Sequence, residues 1–281
     1  MRTRLTGPLL SVHELVELLD SGEPRPSVLD VRWDLAAGAR RDLYEQGHVP
    51  GAAFVDLDAD LAGAPGTGGR HPLPSPSDFE RSMRVIGVDR AREVVVYDEA
   101  NATAAARAWW LLRYFCHPAV AVLDGGLSAW RDAGMGLETG SWDGEEGDFT
   151  ARPGGMAVLD AAAAATLARR GVLLDARAPE RFRGDSEPID PVAGHIPGAR
   201  NRPTTLNVEP AGSFLDAATL RREFAALGIG GSSEVGVYCG SGVTAAHEVL
   251  ALELAGHRAA LYPGSWSEWV MDPRRAVATG E

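Results

Sequence analysis

The chain repeats itself. VLDVRW at 28–33 returns as LLDARA at 173–178, GHVPGA at 47–52 as GHIPGA at 194–199, EVVVYD at 93–98 as EVGVYC at 234–239, and LDGGLSAW at 123–130 as YPGSWSEW at 262–269. Four landmarks in one order, 139 to 147 residues apart, mean that one fold has been duplicated. At 281 residues the chain gives each copy enough length to bury its own core. The expected domains are 8–135 and 156–275, and the acidic, glycine-rich stretch 136–155 reads as a solvated linker between them.

Within each copy, short β-branched runs such as VVVY and VGVY alternate with helix-like segments such as ATAAARAWWLLRYF and TAAHEVLALELAG. That alternation predicts parallel strands with crossover helices, an α/β fold in which ligands bind beyond the carboxyl ends of the strands. EVGVY delivers Cys239 to such an end. Aligning the copies puts Asp98 of the first where Cys239 stands in the second, so the first is expected to supply scaffold and walls and the second the chemistry.

Composition removes several classes of function. A formal net charge of -12 offers no source for counterion release or polybasic attraction, so neither nucleic acid nor an anionic membrane is an expected partner. All 27 basic residues are arginine, which excludes a Schiff-base or P-loop lysine and leaves anion contacts to guanidinium groups and the backbone. The two cysteines, Cys116 and Cys239, lack the spacing of a zinc or redox-disulfide site. No signal-peptide core or membrane-length apolar run is evident, and a cytoplasmic location is expected.

The loop CGSGVTA suits a charged sulfur. Gly240 and Gly242 are expected to take backbone angles closed to other residues, curving successive N–H groups around one point. The helix that follows adds the partial positive charge of its N-terminus, and together these favour thiolate over thiol at Cys239. Cys116, in LLRYFCHPAV, reads instead as a small core residue.

The LDVR and LDAR segments, both GHxPGA segments, the CGSGVT loop and the terminal GSWSEW resemble, in order and over nearly the whole chain, the two-domain sulfurtransferases of the rhodanese and 3-mercaptopyruvate sulfurtransferase type. The resemblance implies two tandem rhodanese-like domains, each an open, mainly parallel sheet flanked by helices. It also implies a degenerate first domain, a catalytic second one, an active site in the cleft between them, and no cofactor or metal. The implied reaction has two steps: Cys239 takes a sulfur atom from 3-mercaptopyruvate or thiosulfate, and the persulfide passes it to cyanide, a small thiol or thioredoxin. Gly240, Gly242, Val243 and Thr244 form the substrate-binding loop, which looks like that of the mercaptopyruvate branch. With nothing basic after Cys239, this loop predicts a poorer reaction with thiosulfate.

The same branch uses a serine, a histidine and an aspartate as a proton relay, matched here by Ser241, His71 and Asp58. Arg181 matches an arginine that holds the substrate carboxylate. The branch's second arginine is missing, because the chain reads EPID there, with Ile189 and Asp190; Arg183 and Arg107 are the candidates to replace it. His48 and His195 occur in both copies, as do Asp30 with Asp175 and Trp130 with the GSWSEW tryptophans Trp266 and Trp269, so all are read as structural.

Two rival readings fit parts of this pattern. Cysteine phosphatases end a comparable loop in an arginine six residues after the nucleophile, where this chain has Ala245. A persulfide carrier or regulatory module would keep Cys239 without turning over small donors.

Overall fold

The computed structural model describes residues 4–21 and 24–281, which divide into two units. The first holds residues up to 63, 74–156 and 210–214; the second holds 64–73, 157–209 and 215–281.

In the first unit, strands β1 (Leu9–Leu10), β2 (Ser27–Asp30), β3 (Ala53–Phe54), β4 (Val94–Tyr97) and β5 (Val120–Leu123) form one sheet in the order β1-β5-β4-β2-β3, every pair parallel. Helices α1 (Val12–Asp20) and α2 (Ala105–Tyr114) are two of its crossovers. Strands β2 and β4 are buried along their whole length, as the unbroken apolar runs require when both faces are covered.

The second unit repeats the plan with β6 (Val172–Asp175), β7 (Arg200–Asn201), β8 (Val235–Tyr238) and β9 (Ala260–Leu261), ordered β9-β8-β6-β7 and parallel throughout. Its helices include α3 (Ala161–Arg170), α4 (Pro179–Arg183), α5 (Val243–Leu254) and α6 (Ser265–Trp269). Its apolar core gathers Leu173, Phe182, Ile196, Tyr238, Tyr262, Trp266 and Trp269.

The repeated motifs build the same buried network twice. In the first unit Arg32 pairs with Asp30 (2.9 Å) and donates to Gly47 O, while Tyr97 Oη accepts the Val49 amide at 3.0 Å. In the second, Arg177 pairs with Asp175 (2.6 Å) and donates to Gly194 O, and Tyr238 Oη accepts the Ile196 amide at 3.1 Å. The two motif histidines do the same work: His48 Nδ1 bonds Tyr44 O and His195 Nδ1 bonds Phe182 O, both at 2.8 Å, each ring stacked on the aromatic residue it bonds. Each network pins the motif turn to the centre of its sheet, so these charges are structural.

The stretch 136–155 is mostly exposed, as expected of a linker, and it is bonded along the first unit. Glu138 exchanges two backbone bonds with His48, Gly147 and Phe149 donate to Arg84 O and Val88 O, and the Phe149 ring is fully buried. Burial of one aromatic side chain is enough to hold the stretch on the first unit. The second unit continues beyond 275, since His195 and Ala278 exchange two backbone bonds. Among the described residues, no helix is long and apolar enough to cross a membrane.

Behind the Cys239 loop, α5 carries Glu248, fully buried. Its Oε2 accepts from Asn207 Nδ2 at 2.6 Å and Arg202 Nε lies 3.8 Å from Oε1. Burial pushes this carboxyl up to about 7 from 4.5, against the Asn207 bond and the Arg202 charge. A carboxyl whose folded value lies above its unfolded one favours folding most below pH 4.5, and that contribution is lost as pH rises to about 7. Glu248→Gln cannot ionise. Its unfolding free energy, measured by urea titration, should match the wild type's at pH 4.5 and exceed it at pH 8 by about 3 kcal/mol. A difference that does not vary with pH would contradict this.

Candidate active site

Cys239 follows β8 directly, at the carboxyl end of the strand, and is 2% exposed. Its position is fixed by α6: the Trp266 and Ser267 amides donate to the carbonyls of Cys239 and Gly240, both at 2.9 Å. In the first unit the Leu127 and Ser128 amides hold Asp98 and Glu99 in the same way. Ser265 completes the clamp. Its Oγ accepts the Cys239 amide at 3.1 Å and donates to Tyr262 O, while its own φ is +53°, a left-handed angle that costs a non-glycine residue about 1–3 kcal/mol. The sequence reading of this segment covers Trp266 and Trp269 and does not reach Ser265. The signal was there in the repeat, where Gly126 stands opposite Ser265 and also has positive φ.

The two loop glycines differ in what they do. Gly242 has φ +82°, and a methyl group on it would come within 2.4 Å of Pro263 O, so only glycine fits. Its amide donates to Cys239 Sγ at 3.1 Å. Gly240 is not left-handed, contrary to expectation. A methyl group there would lie 2.9 Å from Arg70 Nη2 and 3.6 Å from both terminal nitrogens of Arg181. Gly240 makes room for guanidinium groups. Val243 and Thr244 open α5, Val243 buried and Thr244 half-buried.

The first unit shows what this loop shape prefers. There the Asp98 carboxylate turns back into its own loop and accepts the amides of Ala100, Ala102, Ala104 and Ala105 at 2.9–3.2 Å. Burial raises this carboxyl, and the four amides oppose the rise. Where the second copy keeps its sulfur, the first has filled the site with an acceptor of its own.

Segment 64–73 belongs to the second unit because Gly69, φ +97°, packs where a methyl group would come within 2.7 Å of Gly264 O and Ser267 Oγ. Ser267 Oγ also accepts the Arg70 amide at 3.1 Å. This docking carries His71 to the loop, where its Nδ1 and Ser241 Oγ are hydrogen bonded at 2.7 Å. Asp58 belongs to the first unit, on the helix Leu57–Asp60, where it accepts from Trp33 Nε1 at 3.0 Å.

Arg181, on α4, is held by Glu187 (2.6 Å) and Asp190 (3.1 Å) and is 14% exposed. Burial tends to raise the Glu187 carboxyl; the Arg181 bond, the Arg181 charge and the amides of Asp190 and Ile189 outweigh it, and the carboxyl is lowered. Both candidates for a second arginine make bonds within their own units. Arg183 pairs with Asp185 at 2.7 Å on an exposed surface, and Arg107 belongs to the first unit, donating to Leu61 O. The guanidinium beside the loop is that of Arg70, ion-paired with Asp190. Nothing basic follows Cys239 within the loop itself, and the charge beside Gly240 comes from Arg70 and Arg181 of other segments. Cys116 is half-buried rather than core, in a left-handed turn (φ +63°) after α2. Among the described residues no group of His, Cys, Asp and Glu fit to hold a metal ion is found.

Compared with known proteins, the chain matches the Rhodanese-like domain at residues 11–133 and again at 159–272. A Pseudomonas aeruginosa protein named "Probable 3-mercaptopyruvate sulfurtransferase" is 47% identical over 284 residues, 97% of this chain and 98% of that one. A Mycobacterium tuberculosis protein named "Putative thiosulfate sulfurtransferase SseB" is 45% identical over 276 residues, 97% of both. The crystal structure of SseA from Escherichia coli, described as a 3-mercaptopyruvate sulfotransferase, matches with a TM-score of 0.82 and 34% identity over 93% of this chain and 100% of that one. With both copies matched and relatives similar from end to end, the chain belongs to the Rhodanese family.

Proposed function

We propose that this protein is a sulfurtransferase that takes sulfur from 3-mercaptopyruvate or thiosulfate onto Cys239 and hands it to a thiophilic acceptor such as cyanide, a small thiol or thioredoxin. The observation that carries the reading is the Gly242 amide on Cys239 Sγ beside the hydrogen-bonded pair of Ser241 and His71. A preorganised donor next to the sulfur favours the thiolate and the persulfide anion that follows it.

With mercaptopyruvate, the Cys239 thiolate attacks the donor sulfur, a sulfur–sulfur bond forms, and the carbon–sulfur bond breaks with its electron pair leaving on carbon as the pyruvate enolate. The donor's thiol proton ends on that carbon, and the products are pyruvate and the Cys239 persulfide anion. Ser241 and His71 relay the proton, and Asp58 is the third residue assigned to the relay. With thiosulfate, the sulfur–sulfur bond of the donor breaks and sulfite leaves with the pair, no proton being required. Arg181 is the donor-carboxylate residue, and Gly240, Gly242, Val243 and Thr244 supply the loop that receives the sulfur.

Incubation with each donor in the absence of acceptor, followed by mass spectrometry, should show the Cys239 peptide heavier by one sulfur atom and restored by cyanide. Failure of both donors to load that peptide would refute the reading. Loading without catalytic turnover would leave a persulfide carrier in its place.

A further inference from the structure

Ser267, on α6, is buried and bonds in two directions. Its amide donates to Gly240 O at 2.9 Å, which fixes the residue before Ser241. Its hydroxyl accepts the Arg70 amide at 3.1 Å, which fixes the residue before His71, and donates to Gly264 O at 3.1 Å. A single residue thus holds both sides of the hydrogen bond between Ser241 and His71, one through its backbone and the other through its side chain.

The His71 side is the one that needs holding. Segment 64–73 contains no helix or extended strand, and its internal order is a pair of reciprocal bonds between Gly66 and Gly69, at 3.1 and 2.9 Å. A stretch so poor in bonds of its own opens easily unless it is tied down. Arg70 pairs with Asp190, but through the end of a long side chain that leaves the backbone free to shift. The backbone next to His71 is tied by the Ser267 hydroxyl, and Gly69 fits so closely there that a methyl group on it would come within 2.7 Å of that oxygen.

The repeat separates the two duties. Ser128 stands opposite Ser267 in the first copy, and its amide likewise donates to Glu99 O, at 2.8 Å. Its hydroxyl has no partner among the described residues, and the loop DEANATA that it holds has neither serine nor histidine. The backbone bond belongs to the scaffold; the use of the hydroxyl belongs to the copy that carries Cys239.

We propose that Ser267 is a positioning residue of the sulfur-transfer site, whose hydroxyl docks segment 64–73 so that His71 stays in register with Ser241. The proposal rests on the sulfurtransferase reading above and deepens it to donor specificity. Proton transfer requires heavy atoms within about 2.6–3.2 Å, and a misplacement of about 1 Å costs on the order of 10²-fold. Ser267 therefore governs the donor that needs a proton, mercaptopyruvate, and not the donor that does without one.

Ser267→Ala deletes the hydroxyl and keeps the amide on Gly240 O. With mercaptopyruvate kcat should fall roughly 10- to 100-fold, and with thiosulfate by less than about threefold. In a Ser241→Ala background the same substitution should change the mercaptopyruvate kcat by less than about twofold, because the relay it serves is already gone. Hydrogen exchange, read by mass spectrometry on peptides from 64–73, needs no turnover: loss of the Arg70 amide's acceptor should speed exchange there roughly fivefold, while peptides from β8 and α5 keep the wild-type rate. Equal losses with both donors, a full loss that persists without Ser241, or unchanged exchange in the segment would each overturn the proposal and make Ser267 a structural residue. If the wild type turned over neither donor, the sulfurtransferase reading would fail, while the exchange rates would still decide whether Ser267 holds the segment.

Discussion

Cys239→Ser is expected to abolish sulfur transfer from both donors, lowering kcat on the order of 10⁵-fold, while circular dichroism and the thermal transition stay close to those of the wild type. The two side chains differ by one atom, and the surroundings serve either. The Gly242 amide can donate to a hydroxyl oxygen as it does to Sγ, and Ser265 holds the backbone amide of residue 239 whatever the side chain. The hydroxyl is lost for the chemistry, however, because it stays protonated at neutral pH and its oxygen cannot carry a transferable sulfur as a thiolate can. Cys116 is an internal control, because it is half-buried at the end of a helix in the first unit. Residual turnover above about one part in a hundred in Cys239→Ser would move the nucleophile elsewhere and sink the mechanism, since loss of a nucleophile alone costs far more.

What the sequence made legible follows from repetition and periodicity. Two copies of each motif predicted two units with parallel sheets, and the duplicated Asp–Arg–Tyr networks around Asp30 and Asp175 explain why the motifs recur: each is needed once per sheet. The same comparison separated the structural His48 and His195 from the unique Cys239. What escaped the sequence lies in irregular segments. Arg70 and Asp190 are 120 residues apart and meet because Gly69 packs against Gly264, a contact that no period or propensity encodes. For the same reason the partner of Gly240 could not be read. Two glycines in one loop look alike in sequence, but one is required by its backbone angle and the other by the arginines beside it. In stretch 136–155 the composition shows the exposed acidic and glycine-rich residues but not the single buried phenylalanine that anchors them.

Ser241→Ala should divide the two donors. With mercaptopyruvate the departing pair rests on carbon, and the enolate becomes a stable product only when protonated, so removing a positioned hydroxyl should lower kcat/KM by roughly 10²- to 10⁴-fold, the usual reach of a general acid. With thiosulfate the leaving sulfite is stable as an anion, and the same substitution should cost less than about fivefold. The structure makes the experiment clean in one respect. Ser241 is buried and its hydroxyl is bonded to His71 Nδ1, so alanine removes that bond while leaving Gly242, the amide on Sγ and the helix that follows untouched. His71→Ala should reproduce the division, and the double variant should be scarcely worse than either single one, since groups acting as one relay are not additive. Equal losses with both donors would mean that Ser241 shapes the loop rather than moving a proton. A loss larger with thiosulfate than with mercaptopyruvate would reverse the assignment altogether, leaving the pair as a binding element for sulfur oxyanions.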